Sequence, residues 1–94
     1  MNVISKKIIS DFVKKNSDAK DALLSWYKEA ESANWETPQH IKERYRTVSF
    51  LQNNMVIFNI KGNRYRLVTK VSYKSKKVFI KWIGTHAEYD RQKF

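Results

Sequence analysis

The sequence has no cysteine, one proline and two glycines in 94 residues. Without cysteine there can be no disulfide and no thiolate metal ligand, a composition that suits a reducing compartment. No apolar run approaches the roughly 18 residues of a membrane span. The opening "MNVISKKIIS" has no long apolar core and no small-residue cleavage pattern. The expectation is a soluble, cytoplasmic protein with no membrane partner. Disorder is excluded by composition, because 41% hydrophobic and 14% aromatic residues offset the entropy of ordering the chain. Residues 1–94 are expected to form a single domain around one core. No phosphate-binding loop, dinucleotide-binding glycine pattern or nucleophile elbow is present.

The most informative absence is of acid. Between Arg44 and Ala87 there is no Asp or Glu, whereas residues 1–43 and 88–94 each balance their charges. The whole net charge of +10 therefore lies in that one stretch. Charge this lopsided repels itself in a compact domain and attracts polyanions. A solvated surface is the plain alternative. The coincidence with a predicted sheet favours a nucleic acid partner.

The first half reads as helical. "MNVIS" suggests a short edge strand, and Ser5 a cap for a helix carrying Ile8, Ile9, Phe12 and Val13 on one face. Ser17 or Asp18 would cap a second helix with Ala19, Leu23, Trp26, Tyr27 and Ala30 as its apolar stripe. Thr37 and Pro38 open a short third helix, near which His40 reads as structural. Two consecutive amphipathic helices imply a helical hairpin packed on something flat.

From Val48 the apolar period changes to two. A Gly62-Asn63 turn would pair Lys61 with Arg64, Asn59 with Arg66 and Ile57 with Val68, and on the opposite face Ile60 with Tyr65 and Phe58 with Leu67. A second turn at Ser75-Lys76 would pair Val71 with Ile80, Tyr73 with Val78 and Thr69 with Trp82 on the buried side. Lys70 would then face Lys81, and Lys74 would face Lys77. Opposed like charges are unfavourable across a ladder. A bound phosphate chain is the simplest reason to tolerate them. The helices would cover one face and leave the other open and basic.

"THAEYD" follows the last predicted strand and supplies His86, Glu88, Tyr89 and Asp90. Imidazole exchanges protons near neutral pH, and a phenol or carboxylate can share or orient that proton. Beside Arg and Lys, such a base could activate an RNA 2′-hydroxyl against the adjacent phosphate, with the cations stabilising the transition state. The structural alternative has His86 simply hydrogen-bonded, and Glu88 and Asp90 capping a C-terminal turn or pairing with Arg91. This chemistry calls for no cofactor and no metal.

The succession of "FNIKGNRYRL", a basic strand hairpin and "GTHAEYD" resembles the HigB-like toxins of bacterial type II toxin–antitoxin systems, within the RelE-type mRNA interferase superfamily. The resemblance spans essentially the whole chain. It implies a RelE-like α+β fold, with an N-terminal helical hairpin packed on a mostly antiparallel twisted sheet. It implies a metal-independent mRNA endonuclease acting on translating ribosomes. It also implies a HigA-like helix-turn-helix antitoxin, through whose complex alone the protein would meet DNA. Arg66 matches the family's strand arginine, with Asn59 opposite it, and His86, Tyr89 and Asp90 match the tail motif. Lys81 holds a position that is basic in related toxins. On this basis Arg66 and Lys81 would bear phosphate and transition-state charge, His86 or Tyr89 would accept the proton, and Asp90 would orient it. Lys61, Arg64, Lys70, Lys74 and Lys77 would hold the RNA or ribosomal RNA backbone, with Asn59 among the RNA-binding residues. The rival reading is a non-catalytic RNA- or ribosome-binding module. A DNA-binding repressor ranks lower, since no helix-turn-helix is evident.

Overall fold

A computed structural model describes residues 1–92 and Phe94. The order is β1 (Asn2–Ile4), α1 (Lys7–Lys15), a 3-10 turn (Ser17–Ala19), α2 (Lys20–Ser32), α3 (Pro38–Arg44), β2 (Ser49–Leu51), β3 (Met55–Ile60), β4 (Tyr65–Ser72), β5 (Lys77–Thr85) and α4 (His86–Asp90). The strands form one sheet in the order β1-β5-β4-β3-β2, antiparallel except for the parallel β1–β5 pair. The expected α+β class, with a mostly antiparallel sheet, is what forms. Among the described residues no helix is long and apolar enough to cross a membrane.

The helices put their apolar stripes on one face of this sheet. Ile9 of α1 and Leu23, Trp26 and Ala30 of α2 are buried there, with Ile8, Phe12, Val13 and Tyr27 packed at the margin. α1 lies against β5 and α2 against β1, joined through the 3-10 turn, so the two do not make a clear helical hairpin. Phe58 of β3 is the centre of the core. The rings of Trp26 and Tyr45 meet it edge-on at 5.3 and 5.1 Å, and that of Trp35 stacks at 6.0 Å.

The caps differ from expectation at two of three helices. Ser5 takes a left-handed φ of 73° and makes no side-chain cap to α1. Neither Ser17 nor Asp18 caps α2, whose N-cap is Ala19. Asp18 turns instead to the sheet, accepting a hydrogen bond from the Tyr65 hydroxyl at 2.7 Å. Thr37 does cap α3 with Pro38 in its first turn, and the His40 ring is structural, accepting from the Glu36 amide at 3.1 Å.

The β3–β4 hairpin has the expected register: Ile60–Tyr65, Asn59–Arg66, Phe58–Leu67 and Ile57–Val68. Its loop takes positive φ at Lys61 and Gly62, not at Asn63, and the Arg64 amide closes it onto the Lys61 carbonyl at 3.3 Å. The β4–β5 hairpin departs. Val71 pairs with Val78 and Thr69 with Ile80, two residues from the expected partners. The cause is the turn, which runs over 73–76. There Ser72 Oγ accepts from the Ser75 amide at 3.3 Å, and Lys76 closes the turn at φ 58°. The register then shifts between Val68 and Thr69, because Trp82 pairs with Val68 and leaves Lys81 as an extra residue. Such a bulge breaks the strict alternation of side chains. The turn register also removes the expected Lys70–Lys81 and Lys74–Lys77 pairs: Lys70 stands between Met55 and Phe79, Lys77 faces Ser72, and Lys74 lies in the turn.

Candidate functional site

The sheet face away from α1–α3 consists of three cross-strand rows. The first runs Leu51–Met55–Lys70–Phe79, the second Ser49–Ile57–Val68–Trp82, and the third Asn59–Arg66–Gly84. This face is not uniformly open and basic as expected. Ile57 and Val68 of the middle row are only 2% and 0% exposed, yet both stand apart from the main core cluster. Trp82 lies beside them, and the rings of two residues from further along the chain meet it. The rings of Tyr89 and Phe94 come within 6.3 and 5.7 Å of Trp82 and stack on each other at 5.6 Å. An apolar ridge therefore separates a polar end, around Arg66, from the row that holds Lys70.

Arg66 is anchored from its own sheet. Its Nη1 donates to the side-chain oxygens of Asn59 and, at 2.7 Å, Asn63. Asn59 is itself oriented by donating its Nδ2 to the Thr47 carbonyl at 3.0 Å. A guanidinium has five donors. Those on Nε and Nη2 make no hydrogen bond among the described residues and stay available to an anion. The guanidinium carbon sits 5.9 Å from the Tyr89 ring centroid, a cation–π contact that ties the strand to α4.

α4 starts where β5 ends because Thr85 and Glu88 form a capping box. The Glu88 amide donates to Thr85 Oγ1 at 3.1 Å, and the Thr85 amide donates to Glu88 Oε1 at 2.8 Å. The backbone and hydroxyl of Thr85 hold the Glu88 carboxyl below the ordinary glutamate value. Glu88 is thus a cap, as one reading of the sequence had it. Helical spacing then sets His86 Nδ1 3.1 Å from Asp90 Oδ2, with both side chains well exposed. The His86 amide donates to the Arg64 carbonyl at 3.1 Å. His86 stands two residues beyond Gly84, the ladder partner of Arg66. The structure thus brings Asn59, Arg66, Tyr89 and the His86–Asp90 pair to one end of this face.

It takes other candidates elsewhere. Lys61 and Arg64 each lie 3.4 Å from Asp18 Oδ2, at the edge of the helix-covered side. The Tyr65 hydrogen bond, and then these cations, hold the Asp18 carboxyl below its ordinary range. Arg44 pairs with Glu29 at 2.6 Å, and Lys76 Nζ reaches the Trp35 carbonyl at 3.4 Å. Four cations of the acid-free stretch therefore bond to residues from the N-terminal half. Lys81, with Nζ 5.6 Å from the Phe79 centroid, keeps company with Lys70 and not with Arg66. Lys74 and Lys77 are exposed at the β4–β5 turn. Among the described residues no group of three His, Cys, Asp or Glu is arranged to hold a metal ion.

The family model of the HigB toxin, a RelE-like toxic component of a toxin–antitoxin system, matches residues 19–92. The chain belongs to this toxin family. The mRNA interferase HigB of Escherichia coli O6:H1 (strain CFT073) is 26% identical over 93 residues, 97% of this chain and 90% of the relative. The mRNA interferase toxin HigB of Escherichia coli K12 and the mRNA interferase HigB of Shigella flexneri are each 26% identical over 92 residues, 96% of this chain and 88% of each relative. The RelE-like fold of the HigB toxins accounts for the sheet and its helical cover, and the matched stretch contains all three rows.

Three contributors to the candidate site carry only a weak signal in the sequence. Asn63 was read only as a turn residue, although it lies three positions before Arg66. Trp82 was assigned to the core face, and only the bulge moves it. At Gly84 a Cβ would meet the Trp82 ring at 2.3 Å, so glycine is what lets that ring lie flat on the strand. Its sequence signal is a lone glycine near the end of a strand pattern, one residue from the helix cap.

Proposed function

We propose that this toxin is a ribosome-dependent, metal-independent mRNA endonuclease of the cytoplasm, neutralised by a HigA-like helix-turn-helix antitoxin. One observation carries the reading: a side-chain-anchored Arg66 with unused donors sits at the same end of the sheet as the His86–Asp90 pair. The interferase names of the relatives support the same reading.

In the proposed reaction a 2′-hydroxyl loses its proton and its oxygen attacks the adjacent phosphorus. The P–O5′ bond then breaks, and the leaving 5′-oxygen takes a proton from water, giving a 2′,3′-cyclic phosphate and a 5′-hydroxyl end. His86 accepts the proton, with Asp90 fixing the ring through Nδ1 so that Nε2 meets the substrate. Arg66 meets the charge that builds on the phosphorane oxygens, in an orientation already set by Asn59 and Asn63. Tyr89, on the ring side of Arg66, is the alternative acceptor. Lys70, Lys74, Lys77 and Lys81 hold the RNA or ribosomal RNA backbone along the rest of the face, whereas Lys61 and Arg64 stay with Asp18.

The test is cleavage of a defined messenger by purified protein, with and without translating ribosomes, with the product ends mapped and their chemistry identified. Discrete cuts on ribosomes alone, bearing 5′-hydroxyl and cyclic phosphate ends, are expected. Salt-sensitive RNA binding without cleavage would make the protein a binding module instead.

A further inference from the structure

The end of the face remote from Arg66 contains an open cavity of about 690 Å³. Leu51, Met55 and Phe94 supply its apolar walls, Gln52 and Asn53 two amides, and Lys70 and Lys81 two ammonium groups. Leu51 and Phe94 are large apolar side chains left 39% and 49% exposed. Both lie outside the main core, which closes around Phe58 on the opposite face. Lys81 arrives through the bulge, and Lys70 through its place in the first row.

We infer that this cavity seats one unpaired base of the messenger and selects for its identity, an inference that rests on the endonuclease reading. A nucleotide combines a flat apolar surface, a hydrogen-bonding edge and anionic phosphates on either side. Phe94, Leu51 and Met55 match the first of these, since single-stranded RNA is gripped by stacking on aromatic and apolar side chains. A side-chain amide carries donor and acceptor together, so Gln52 or Asn53 can read a base edge in a bidentate manner. Lys70 and Lys81 match the phosphates. Arg66 and Lys70 are four residues apart on one strand, about 13 Å at strand rise. One extended RNA strand can therefore engage both ends, with the selected base set away from the scissile bond. An acidic, apolar peptide would share the walls and the charge, but its binding would carry no dependence on base identity.

Two measurements test this together. In the first, cleavage sites on programmed ribosomes are compared for wild type, Gln52→Ala and Asn53→Gly. Glycine is used at position 53 because the residue has φ 61°, which glycine adopts freely. At least one substitution is expected to lower the ratio of preferred to rejected sequences about tenfold, the scale of a lost bidentate contact. An unchanged ratio in both variants would overturn the inference. In the second, side-chain amide signals of Gln52 and Asn53 are followed by NMR during titration with 2′-O-methylated A, C, G and U hexamers, which resist cleavage. Base-dependent shifts, weakened about tenfold by Phe94→Ala, are expected. Shifts without cleavage by wild type would sink the endonuclease reading and keep the pocket. No shift with any RNA would sink the pocket, and shifts caused only by a bound antitoxin would assign it to a peptide.

Discussion

The cations of the acid-free stretch divide by what they touch. Arg44, Lys61, Arg64 and Lys76 bond to carboxylates or carbonyls of the N-terminal half, and so help join the sheet to its helices. Arg66, Lys70 and Lys81 occupy the other face among asparagines, aromatic rings and an open cavity. Both groups look alike in a charge count. The difference teaches that a net charge of +10 overstates the surface given to a polyanion, and that local partners decide which cations can serve it.

The largest effect is expected at the proton acceptor. His86→Ala should lower ribosomal cleavage by about a hundredfold or more, while Tyr89→Phe should retain most of it. The reverse pattern, read from single-turnover rates, would move the base to Tyr89. Next comes Gly84→Ala. Displacing the Trp82 ring overpacks the strand and should cost about 1–3 kcal/mol in a urea unfolding curve, with the Arg66–Tyr89 contact loosened. No change in midpoint would mean that the ridge adapts freely.

A smaller effect separates the two cation groups directly. Lys70→Ala should reduce the slope of log affinity against log salt for single-stranded RNA by about 0.7, one phosphate contact. Lys76→Ala, on the helix side, should leave that slope unchanged. Equal changes would erase the distinction.

The mildest prediction concerns acid. Asp18 and Glu88 both ionise more readily in the folded chain, so their contribution to stability is complete above their ordinary values of 3.8 and 4.5. It is lost as pH falls through the lowered folded values. Acid titration followed by NMR should show Tyr65 and α4 signals changing in that window, with Asp18→Asn removing only the Tyr65 part. A transition centred near neutral pH would contradict this assignment.

Much of the fold was legible because local rules agreed. Period-two apolar residues, a glycine turn and opposed Asn59 and Arg66 fixed the first hairpin without ambiguity. The second hairpin was not, because neither Ser75 nor Lys76 has strong turn chemistry, and the deciding contact is a hydroxyl of Ser72 outside that dipeptide. The bulge at Lys81 leaves no mark in the sequence. Missing it put Trp82 in the core and left the ridge unseen. The α4 candidates were legible as a group, since "THAEYD" carries both the capping box and the His86–Asp90 pair. Their separation from Lys81 was not, because it depends on the same bulge. Asp18 was misread for a general reason: a carboxylate near a helix start is a good cap candidate until a tyrosine and two cations from the sheet compete for it.

The most direct test sets Arg66→Ala beside Arg64→Ala, two arginines of one short stretch with different partners. Both proteins would be assayed for messenger cleavage on translating ribosomes, after matching their thermal unfolding to wild type. Arg66→Ala is expected to lose about a hundredfold or more in rate, and Arg64→Ala no more than about fivefold. Equal losses would mean that bulk charge, not the anchored guanidinium, does the chemistry, and the account of the site would fail.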